Sequence, residues 1–240
     1  MAIISPDAFY LAHRQQRATF ECLRSFRHYN PISTVVLMSD AGDDFSSLAD
    51  RFGCQYRYCD KNVCPRDPMT ADGQREWLSR FAWAARQGSS EFIILLEDDV
   101  LVRGPINRCT RFAMAGCWHK GALLSAELCN DLVQRWPQIT AQNYGGCGGT
   151  LFHRQTLIDA TEAFDWQEYS RWAAMCPKVS TWADAFLTLV FLTTGHLYQS
   201  AHDVYCETWY PGWEHNGRPI VHQYKHFYGQ SLTDADLGSS

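Results

Sequence analysis

Three consecutive carboxylates, Glu97, Asp98 and Asp99, follow a run of five apolar residues, Phe92–Leu96. An apolar run this short predicts a strand that is buried on both faces, as the strands of parallel sheets are. Because such a strand cannot hold acids in its interior, we expect the carboxylates at its carboxyl end, the edge at which open α/β sheets bind ligands. Glu97 and Asp99 should lean to one side and Asp98 to the other, since side chains alternate along a strand.

The charge of this acidic cluster indicates a metal site. Carboxylates held this close repel one another, and a divalent cation bound by their oxygens relieves the repulsion. The simpler alternative is that the acids only end the strand and open a turn, as aspartate often does. A single aspartate would favour that alternative, whereas three successive acids after a buried strand favour metal binding. A metal at a strand end also suits a substrate that carries phosphates.

The first hundred residues alternate between predicted strands and helices. In order, these are strand 8–12, helix 15–28, strand 34–38, helix 45–52, strand 55–59, a helix from Trp77 to about Gly88, and the strand before the acids. Residues 60–73 contain two prolines and several charges, which predicts a surface loop. The order predicts an α/β fold whose mostly parallel central sheet is flanked by helices, with a Rossmann-like amino-terminal half that binds a nucleotide.

The second half of the sequence is less regular. Residues 144–150 form a glycine-dense loop that lacks the Gly-Lys-Ser/Thr of a Walker phosphate loop. Such glycines allow either a close approach of the backbone to a ligand or an ordinary turn. A helix is predicted over 180–195, a strand near 197–205, and a short strand or loop over 220–228.

Charge and composition exclude some partners and indicate a compartment. A formal net charge of −5 and a pI near 6.0 argue against nucleic acid as the main partner. The ten cysteines include no Cys-x-x-Cys pair, so we expect reduced thiols rather than zinc sites or a disulfide framework. No signal peptide and no transmembrane segment is recognisable. We therefore expect a soluble, cytoplasmic, single-domain protein, encoded by a bacterium or a large DNA virus.

The order of the elements and the acidic motif together resemble glycosyltransferases of the GT-A fold. Leu96-Glu97-Asp98-Asp99 resembles their Asp-x-Asp motif in its Glu-Asp-Asp form, as in enzymes similar to N-acetylglucosaminyltransferase I. His222-x-x-Lys225 resembles a carboxyl-terminal metal-binding histidine followed by a phosphate-binding lysine. Residues 183–187 lie where these enzymes carry a catalytic or acceptor-facing acid at a helix start, although this sequence has Ala-Asp instead of the more familiar Glu-Asp. The resemblance spans most of residues 7–228 and consists of pattern and order.

The resemblance implies a metal-dependent transfer of a hexose or similar sugar from a nucleoside-diphosphate sugar, UDP- or GDP-linked, to a glycan acceptor. It implies Mn²⁺ or Mg²⁺ as the cofactor, and a histidine among the oxygen ligands favours Mn²⁺. The single domain then divides into a donor-binding half, residues 1–103, an acceptor and catalytic half, residues 104–228, and a polar tail, residues 229–240.

The candidate metal ligands are Asp99, because the last acid of such motifs takes the ion in the family, and His222, with His226 as a substitute. The alternative for either histidine is a ring that hydrogen-bonds to the backbone. Candidates for donor binding are His13, Arg14, Asp40, Arg80, Glu97, Asp98 and Lys225. Among these, Asp40 would accept a hydrogen bond from the nucleobase and Glu97 would hold the ribose or support the metal ligands. The alternatives are a turn-forming aspartate and, for His13 and the two arginines, solvated charges.

Asp184 is the candidate general base, which would deprotonate the acceptor hydroxyl and invert the anomeric carbon. Its alternative is a capping box with Thr181, in which Asp184 only satisfies a backbone N–H at the helix start; a retaining mechanism would then be preferable. The aromatic run 209–213 fits an acceptor wall or core packing equally well. A metal-dependent phosphohydrolase and a non-catalytic nucleotide-sugar-binding module are the other function classes that we carry forward.

Overall fold

A seven-stranded sheet forms the centre of the protein. The computed structural model describes residues 3–63, 70–107, 113–116, 119–122, 125–137, 143–146, 148–175, 179, 182–196, 198–200, 205–207, 217–233 and 236. The helices are α1 (Gln16–Tyr29), α2 (Ser46–Arg51), α3 (Ala71–Gln87), α4 (Ala126–Arg135), α5 (Arg154–Ala163), α6 (Tyr169–Met175) and α7 (Ala183–Thr193). The strands are β1 (Ile3–Ile4), β2 (Asp7–Ala12), β3 (Val35–Ser39), β4 (Gln55–Arg57), β5 (Phe92–Leu96), β6 (Leu101–Val102), β7 (Ile106–Asn107), β8 (Met114–Gly116), β9 (His119–Ala122), β10 (Asn143–Tyr144), β11 (Leu151–His153), β12 (Tyr198–Ser200), β13 (Tyr205–Glu207) and β14 (Ile220–His222).

The central sheet has the strand order β12-β8-β11-β5-β2-β3-β4. The four strands at one side, β4, β3, β2 and β5, run parallel, and β12 runs parallel to β8. Only β11 is antiparallel to both of its neighbours, β5 and β8. The expectation of a mostly parallel central sheet flanked by helices is therefore confirmed.

Helices cover both faces of this sheet because the residues of its strands alternate between two apolar clusters. Phe9 and Leu95 pack on one face with apolar residues of α3, α5 and α7. Tyr10 and Leu96 pack on the opposite face with those of α1 and α2. Helix α7 is apolar almost throughout and buries every residue from 185 to 192, as a helix in the middle of a core does.

The predicted elements of the first half are all present, but α3 begins earlier than the apolar pattern indicates. The sequence places its start near Trp77, whereas the helix begins at Ala71. Thr70 caps it, since the Thr70 hydroxyl accepts a hydrogen bond from the backbone N–H of Gly73. The first turn carries mainly polar residues, so apolar spacing alone could not reveal it.

In the second half, the segment predicted as one strand near 197–205 covers β12 and reaches only the first residue of a second short strand, β13. The first joins the central sheet, and the second joins a three-stranded sheet of order β13-β14-β6. Thr181 and the aromatic run 209–213 lie outside the described residues.

Part of the predicted polar tail contacts the first helix. Leu232 packs against the apolar cluster that contains α1, and Asp236 forms an ion pair with Arg17. Among the cysteines, Cys22, Cys54, Cys59 and Cys129 are free thiols, and burial raises the pKa of Cys54 to about 11. None of the helices in the described part of the chain combines the length and apolar character needed to cross a membrane.

Candidate metal centre and donor cleft

A cleft of about 920 Å³ lies at the carboxyl edge of the parallel strands. Its walls come from the ends of β2 and β5, from the segments that follow β2, β3, β4 and β5, and from Trp77 of α3. The lining residues are Tyr10, Leu11, Ala12, His13, Arg14, Gln15, Asp40, Asn62, Trp77, Leu95, Leu96, Glu97 and Asp98. Five of the seven sequence-derived donor-binding candidates therefore line one cavity, although up to 85 residues separate them in sequence: His13, Arg14, Asp40, Glu97 and Asp98.

The acidic turn after β5 points its carboxylates in two directions. The backbone N–H of Val100 bonds to the carbonyl of Glu97 at 3.1 Å, which closes the turn. Glu97 and Asp99 both reach His222: Glu97 Oε2 and Asp99 Oδ1 each lie 3.4 Å from its Nε2. Asp98 instead accepts a hydrogen bond from the hydroxyl of Tyr228. This division is the one that strand alternation predicts.

His222 reaches the acidic turn because strand β14 pairs antiparallel with β6, which directly follows that turn. After His222 the chain turns through Gln223, whose φ of 63° lies in the left-handed region. That turn brings the backbone N–H of Tyr224 to the carbonyl of Asp99 at 2.9 Å. His222 is buried, whereas His226 is exposed and its ring packs at a tilt against the ring of Tyr224. The geometry thus places His222, and not His226, beside the carboxylates.

Glu97, Asp99 and His222 fit a divalent cation. One ligand atom from each residue lies within 4.8 Å of the other two. Asp99 is 5% exposed, and its Oδ1 has no hydrogen-bond partner within the described part of the chain. A buried carboxylate oxygen in that state is costly unless a cation satisfies it. Two carboxylates and one imidazole are a donor set that Mn²⁺ accepts. The sequence placed Asp99 and His222 in this site but assigned Glu97 to the ribose or to support.

Lys225 adds a positive charge at the edge of the metal candidate. Its Nζ lies 3.9 Å from Oδ2 of Asp99, and its ammonium also lies 5.9 Å from the centre of the Tyr228 ring. The side chain is half exposed. A lysine in this position can meet both the buried carboxylate and an anionic ligand that enters from the cleft.

The electrostatics of Asp98 differ from those of a solvated aspartate. Burial is the main cause that raises the pKa of its carboxyl to about 6; the hydrogen bond from Tyr228 opposes the rise, and the charges of Asp99 and Glu97 add to it. Burial and the same carboxylates raise the pKa of the Tyr228 hydroxyl well above its usual value. The hydroxyl therefore remains protonated and donates to Asp98. Tyr228 is not among the residues that the sequence patterns predicted, and its only signal is an aromatic residue three positions after Lys225.

Asp40 and Arg80 form a buried ion pair beneath the cleft. Arg80 Nη1 lies 3.1 Å from Oδ1 of Asp40, and both side chains are at most 5% exposed. The same oxygen accepts the backbone N–H of Val63 at 2.7 Å, and Arg80 also donates to the carbonyl of Lys61. This network holds the segment that carries Asn62 against the cleft. Arg80 itself does not line the cavity.

His13 is held in one orientation by the turn after β3. Its Nδ1 lies 2.6 Å from the carbonyl oxygen of Asp40. Because a carbonyl only accepts, Nδ1 carries the proton, and Nε2 is the acceptor in the neutral ring. Gly42 permits this contact, since a Cβ there would lie 2.2 Å from the carbonyl oxygen of His13. Arg14, the next residue, lines the cleft with an exposed side chain.

Asp184 lies in the first turn of α7, half-buried. The helix begins at Ala183 with Trp182 as its N-cap residue, one position later than a Thr181–Asp184 capping box requires, and Trp182 makes no side-chain cap bond. Oδ1 of Asp184 accepts the backbone N–H of the adjacent Ala185 at 2.8 Å.

The glycine-dense loop connects α7 to the acidic turn. Thr188 of α7 bonds through its hydroxyl to both the N–H and the carbonyl of Gly145. Three residues further on, Gly148 lies against the acids: a Cβ there would be 2.6 Å from Oε2 of Glu97 and 2.8 Å from Cγ2 of Val100. The backbone of Gly148 therefore approaches the Glu97 carboxylate closely, which a residue with a Cβ could not do without displacing it.

Two glycosyltransferases of solved structure have a fold similar to that of this chain. The galactosyltransferase LgtC, solved in complex with donor and acceptor sugar analogues, matches with a TM-score of 0.50 and 14% identity over 90% of this chain and 86% of its own. The bifunctional glycosyltransferase WbbM in its apo form matches with a TM-score of 0.55 and 8% identity over 92% of this chain and 46% of its own. No protein-family model and no curated protein sequence matches the chain. At these identities the likeness concerns the fold.

Proposed function

We propose that this protein is a metal-dependent glycosyltransferase that transfers a hexose or similar sugar from a nucleoside-diphosphate sugar to a glycan acceptor. The observation that carries the proposal is the convergence of Glu97, Asp99 and His222 beside the cleft, whose lining includes Glu97. A cation site beside a cavity at the carboxyl edge of a parallel sheet is where a diphosphate would bind. The fold that the protein shares with glycosyltransferases supports the same conclusion.

In this proposal Glu97, Asp99 and His222 hold Mn²⁺ or Mg²⁺, with Mn²⁺ favoured by the imidazole ligand. The bound ion supplies Lewis-acid stabilisation of the charge that develops on the leaving diphosphate. Lys225, adjacent to Asp99, contributes a second positive charge for a phosphate oxygen.

The remaining residues around the cleft select and orient the donor. His13 offers Nε2 as an acceptor for an N–H of the nucleobase, which suits UDP- or GDP-linked sugars. Arg14 meets the diphosphate or the base edge from the solvent side of the cleft. Asp40 and Arg80 act together by keeping the segment around Asn62 in place. Residues 1–103 thus provide most of the donor site, and residues 104–228 provide the acceptor side.

Asp184 is the proposed general base. Its position at the start of α7, which the glycine-dense loop ties to the acidic turn, supports a role near the reacting centre. A carboxylate there would take the proton from the acceptor hydroxyl while that oxygen attacks the anomeric carbon, which gives inversion. If Asp184 does not serve as the base, the same fold and metal site support a retaining transfer.

A thermal-stability panel tests this function. UDP-, GDP-, CMP- and dTDP-sugars are each added with Mn²⁺ or with EDTA, and the melting temperature is measured. A ligand that binds only the folded state raises this temperature by mass action. We expect one nucleotide class, UDP or GDP, to stabilise the protein only when Mn²⁺ is present.

Activity assays distinguish the two alternative functions. Release of phosphate from simple esters would indicate a phosphohydrolase, and binding without any turnover of a donor would indicate a binding module.

A further inference from the structure

We propose that Tyr228 and Asp98 form a positioning pair that fastens the segment 222–228 to the acidic turn and thereby holds His222 and Lys225 against Asp99. The inference rests on the proposed metal and diphosphate site, because that site is what the pair positions. It assigns a role to Tyr228, and it gives Asp98, the middle acid of the motif, a role different from that of Glu97 and Asp99.

Hydrogen bonds attach the segment to the rest of the protein at its start, in its middle and at its end. At its start, β14 pairs with β6. In its middle, the backbone N–H of Tyr224 bonds to the carbonyl of Asp99 at 2.9 Å. At its end, the Tyr228 hydroxyl donates to Oδ1 of Asp98, and the next residue donates its backbone N–H to the Gln15 side chain at 2.9 Å.

Lys225 lies between the second and the third attachment, so its position depends on both. Its side chain is half exposed and would sample many rotamers if its backbone moved. The backbone N–H of Tyr228 bonds to the carbonyl of Lys225 at 3.3 Å, which closes a turn. The ammonium of Lys225 lies over the Tyr228 ring, 5.9 Å from the centre of that ring. One tyrosine therefore supports the lysine with its ring and anchors the turn with its hydroxyl.

Asp98 can serve this purpose because strand alternation directs its side chain away from His222. Glu97 and Asp99, on the other side, are the carboxylates that reach the imidazole. The bond to Tyr228 needs an acceptor oxygen at position 98 and does not need a negative charge. A metal ligand at position 98 would need the charge. This difference separates the two roles experimentally.

Tyr228→Phe removes the hydroxyl and keeps the ring. Tyr224→Phe is the matched control, because within the described residues the Tyr224 hydroxyl makes no hydrogen bond. The substitution keeps the Tyr224 ring, which packs against His226 and lies 4.8 Å from the guanidinium of Arg103. Binding of Mn²⁺ with UDP, and separately with GDP, is measured by calorimetry for the full-length chain. Loss of a residue that orients metal ligands typically costs about 10- to 100-fold in affinity. We expect about a tenfold loss for Tyr228→Phe and less than about twofold for Tyr224→Phe, with melting temperatures of the ligand-free proteins close to that of the wild type.

Substitutions at Asp98 test the other member of the pair. Asp98→Ala should lose as much affinity as Tyr228→Phe, and the double variant should lose no more than Asp98→Ala alone, because the two changes break one bond. Asp98→Asn keeps an acceptor oxygen and should therefore retain most of the wild-type affinity. Equal losses for Asp98→Asn and Asp98→Ala would show that the charge is what matters and would overturn the positioning role.

Hydrogen exchange at the Tyr224 amide provides a readout that is independent of any ligand. Tyr228→Phe should accelerate this exchange, because it removes one of the two hydrogen bonds that hold the carboxyl-terminal end of the segment in place. An unchanged rate would overturn the inference. If the wild-type protein binds neither nucleotide with Mn²⁺, the proposed function fails, and the exchange rate still decides whether Tyr228 fastens the segment.

Discussion

Replacing Asp99 with asparagine separates the contribution of this side chain to the metal site from its contribution to folding. Asn has nearly the same size as Asp but carries no charge and binds cations weakly. Asp99 is 5% exposed, and its Oδ1 lies 3.4 Å from Nε2 of His222. We expect the variant to fold with nearly wild-type stability in the absence of metal and to lose the stabilisation that metal provides.

Two opposing electrostatic contributions set the stability of the metal-free protein. The ligand oxygens of Glu97 and Asp99 lie within 4.8 Å of each other. Their repulsion is about 1 to 4 kcal/mol for effective dielectric constants between about 80 and 20. Lys225 lies 3.9 Å from Asp99, and its attraction has the same range, about 1 to 4 kcal/mol, with the opposite sign. Asp99→Asn removes both, so the free energy of unfolding should change by no more than about 1 kcal/mol, which shifts the melting temperature of a chain this long by about 2–4 °C.

The metal-bound protein should respond differently. A ligand at about 100 times its dissociation constant stabilises the folded state by about 2.7 kcal/mol. For the wild type, Mn²⁺ with the matching nucleotide at that excess should raise the melting temperature by about 5–11 °C. For Asp99→Asn the rise should vanish, because one of three ligands has lost its charge.

The assay is a melting curve recorded in EDTA and in Mn²⁺ with nucleotide. Asp50→Asn is the control, since Asp50 is an exposed aspartate on α2 away from the cleft. The control should show the full wild-type rise. A full metal-dependent rise for Asp99→Asn would refute the assignment of Asp99 as a ligand, and collapse of the metal-free variant would refute the balance of charges described above.

Three further substitutions test other parts of the site. Asp184→Asn should leave Mn²⁺-dependent nucleotide binding intact and abolish sugar transfer; turnover at the wild-type rate would exclude Asp184 as the base. Gly148→Ala should destabilise the protein by about 1–3 kcal/mol in urea unfolding, because its Cβ would lie 2.8 Å from Cγ2 of the buried Val100, and should weaken metal binding, because it would also displace the Glu97 carboxylate. Gly104→Ala, whose Cβ would meet its nearest neighbour at 3.5 Å, is the control and should be tolerated; equal stability of both variants would contradict the argument. Arg80→Met should cost about 3–5 kcal/mol in the same assay, because it removes the ion-pair partner of the buried Asp40 carboxylate; a loss below about 1 kcal/mol would show that the remaining contacts of Asp40, the Val63 amide among them, suffice.

Sequence patterns predicted the parts of the fold that local physics determines. Phe92–Leu96 could be recognised as a buried strand because five consecutive apolar residues fit no exposed element, and the acids after it had to lie at the sheet edge. Strand alternation also predicted that Glu97 and Asp99 lean to one side and Asp98 to the other. The start of α3 was wrong by several residues, because the polar first turn is stabilised by the Thr70 cap.

Contacts between distant segments could not be read from such patterns. The pairing of β6 with β14 brings His222 to Glu97 across 125 residues, and no local signal specifies that register. The bond between Tyr228 and Asp98 depends on the same pairing. The ion pair of Asp40 with Arg80 likewise depends on how α3 packs against the central sheet. Many of these side chains could be named as candidates from their residue types and spacing. Their partners are set by tertiary packing, which local sequence patterns do not specify.

The most direct test of the central claim is a turnover assay in which the purified protein is incubated with each nucleotide sugar, a set of glycan acceptors and either Mn²⁺ or EDTA. Release of the nucleoside diphosphate and the mass of the acceptor are followed together. We predict that one UDP- or GDP-sugar is consumed only with Mn²⁺, that the acceptor gains the mass of one sugar, and that Asp99→Asn abolishes both changes. Sugar transfer that proceeds equally well in EDTA, or in Asp99→Asn, would contradict the metal-dependent mechanism proposed for this site.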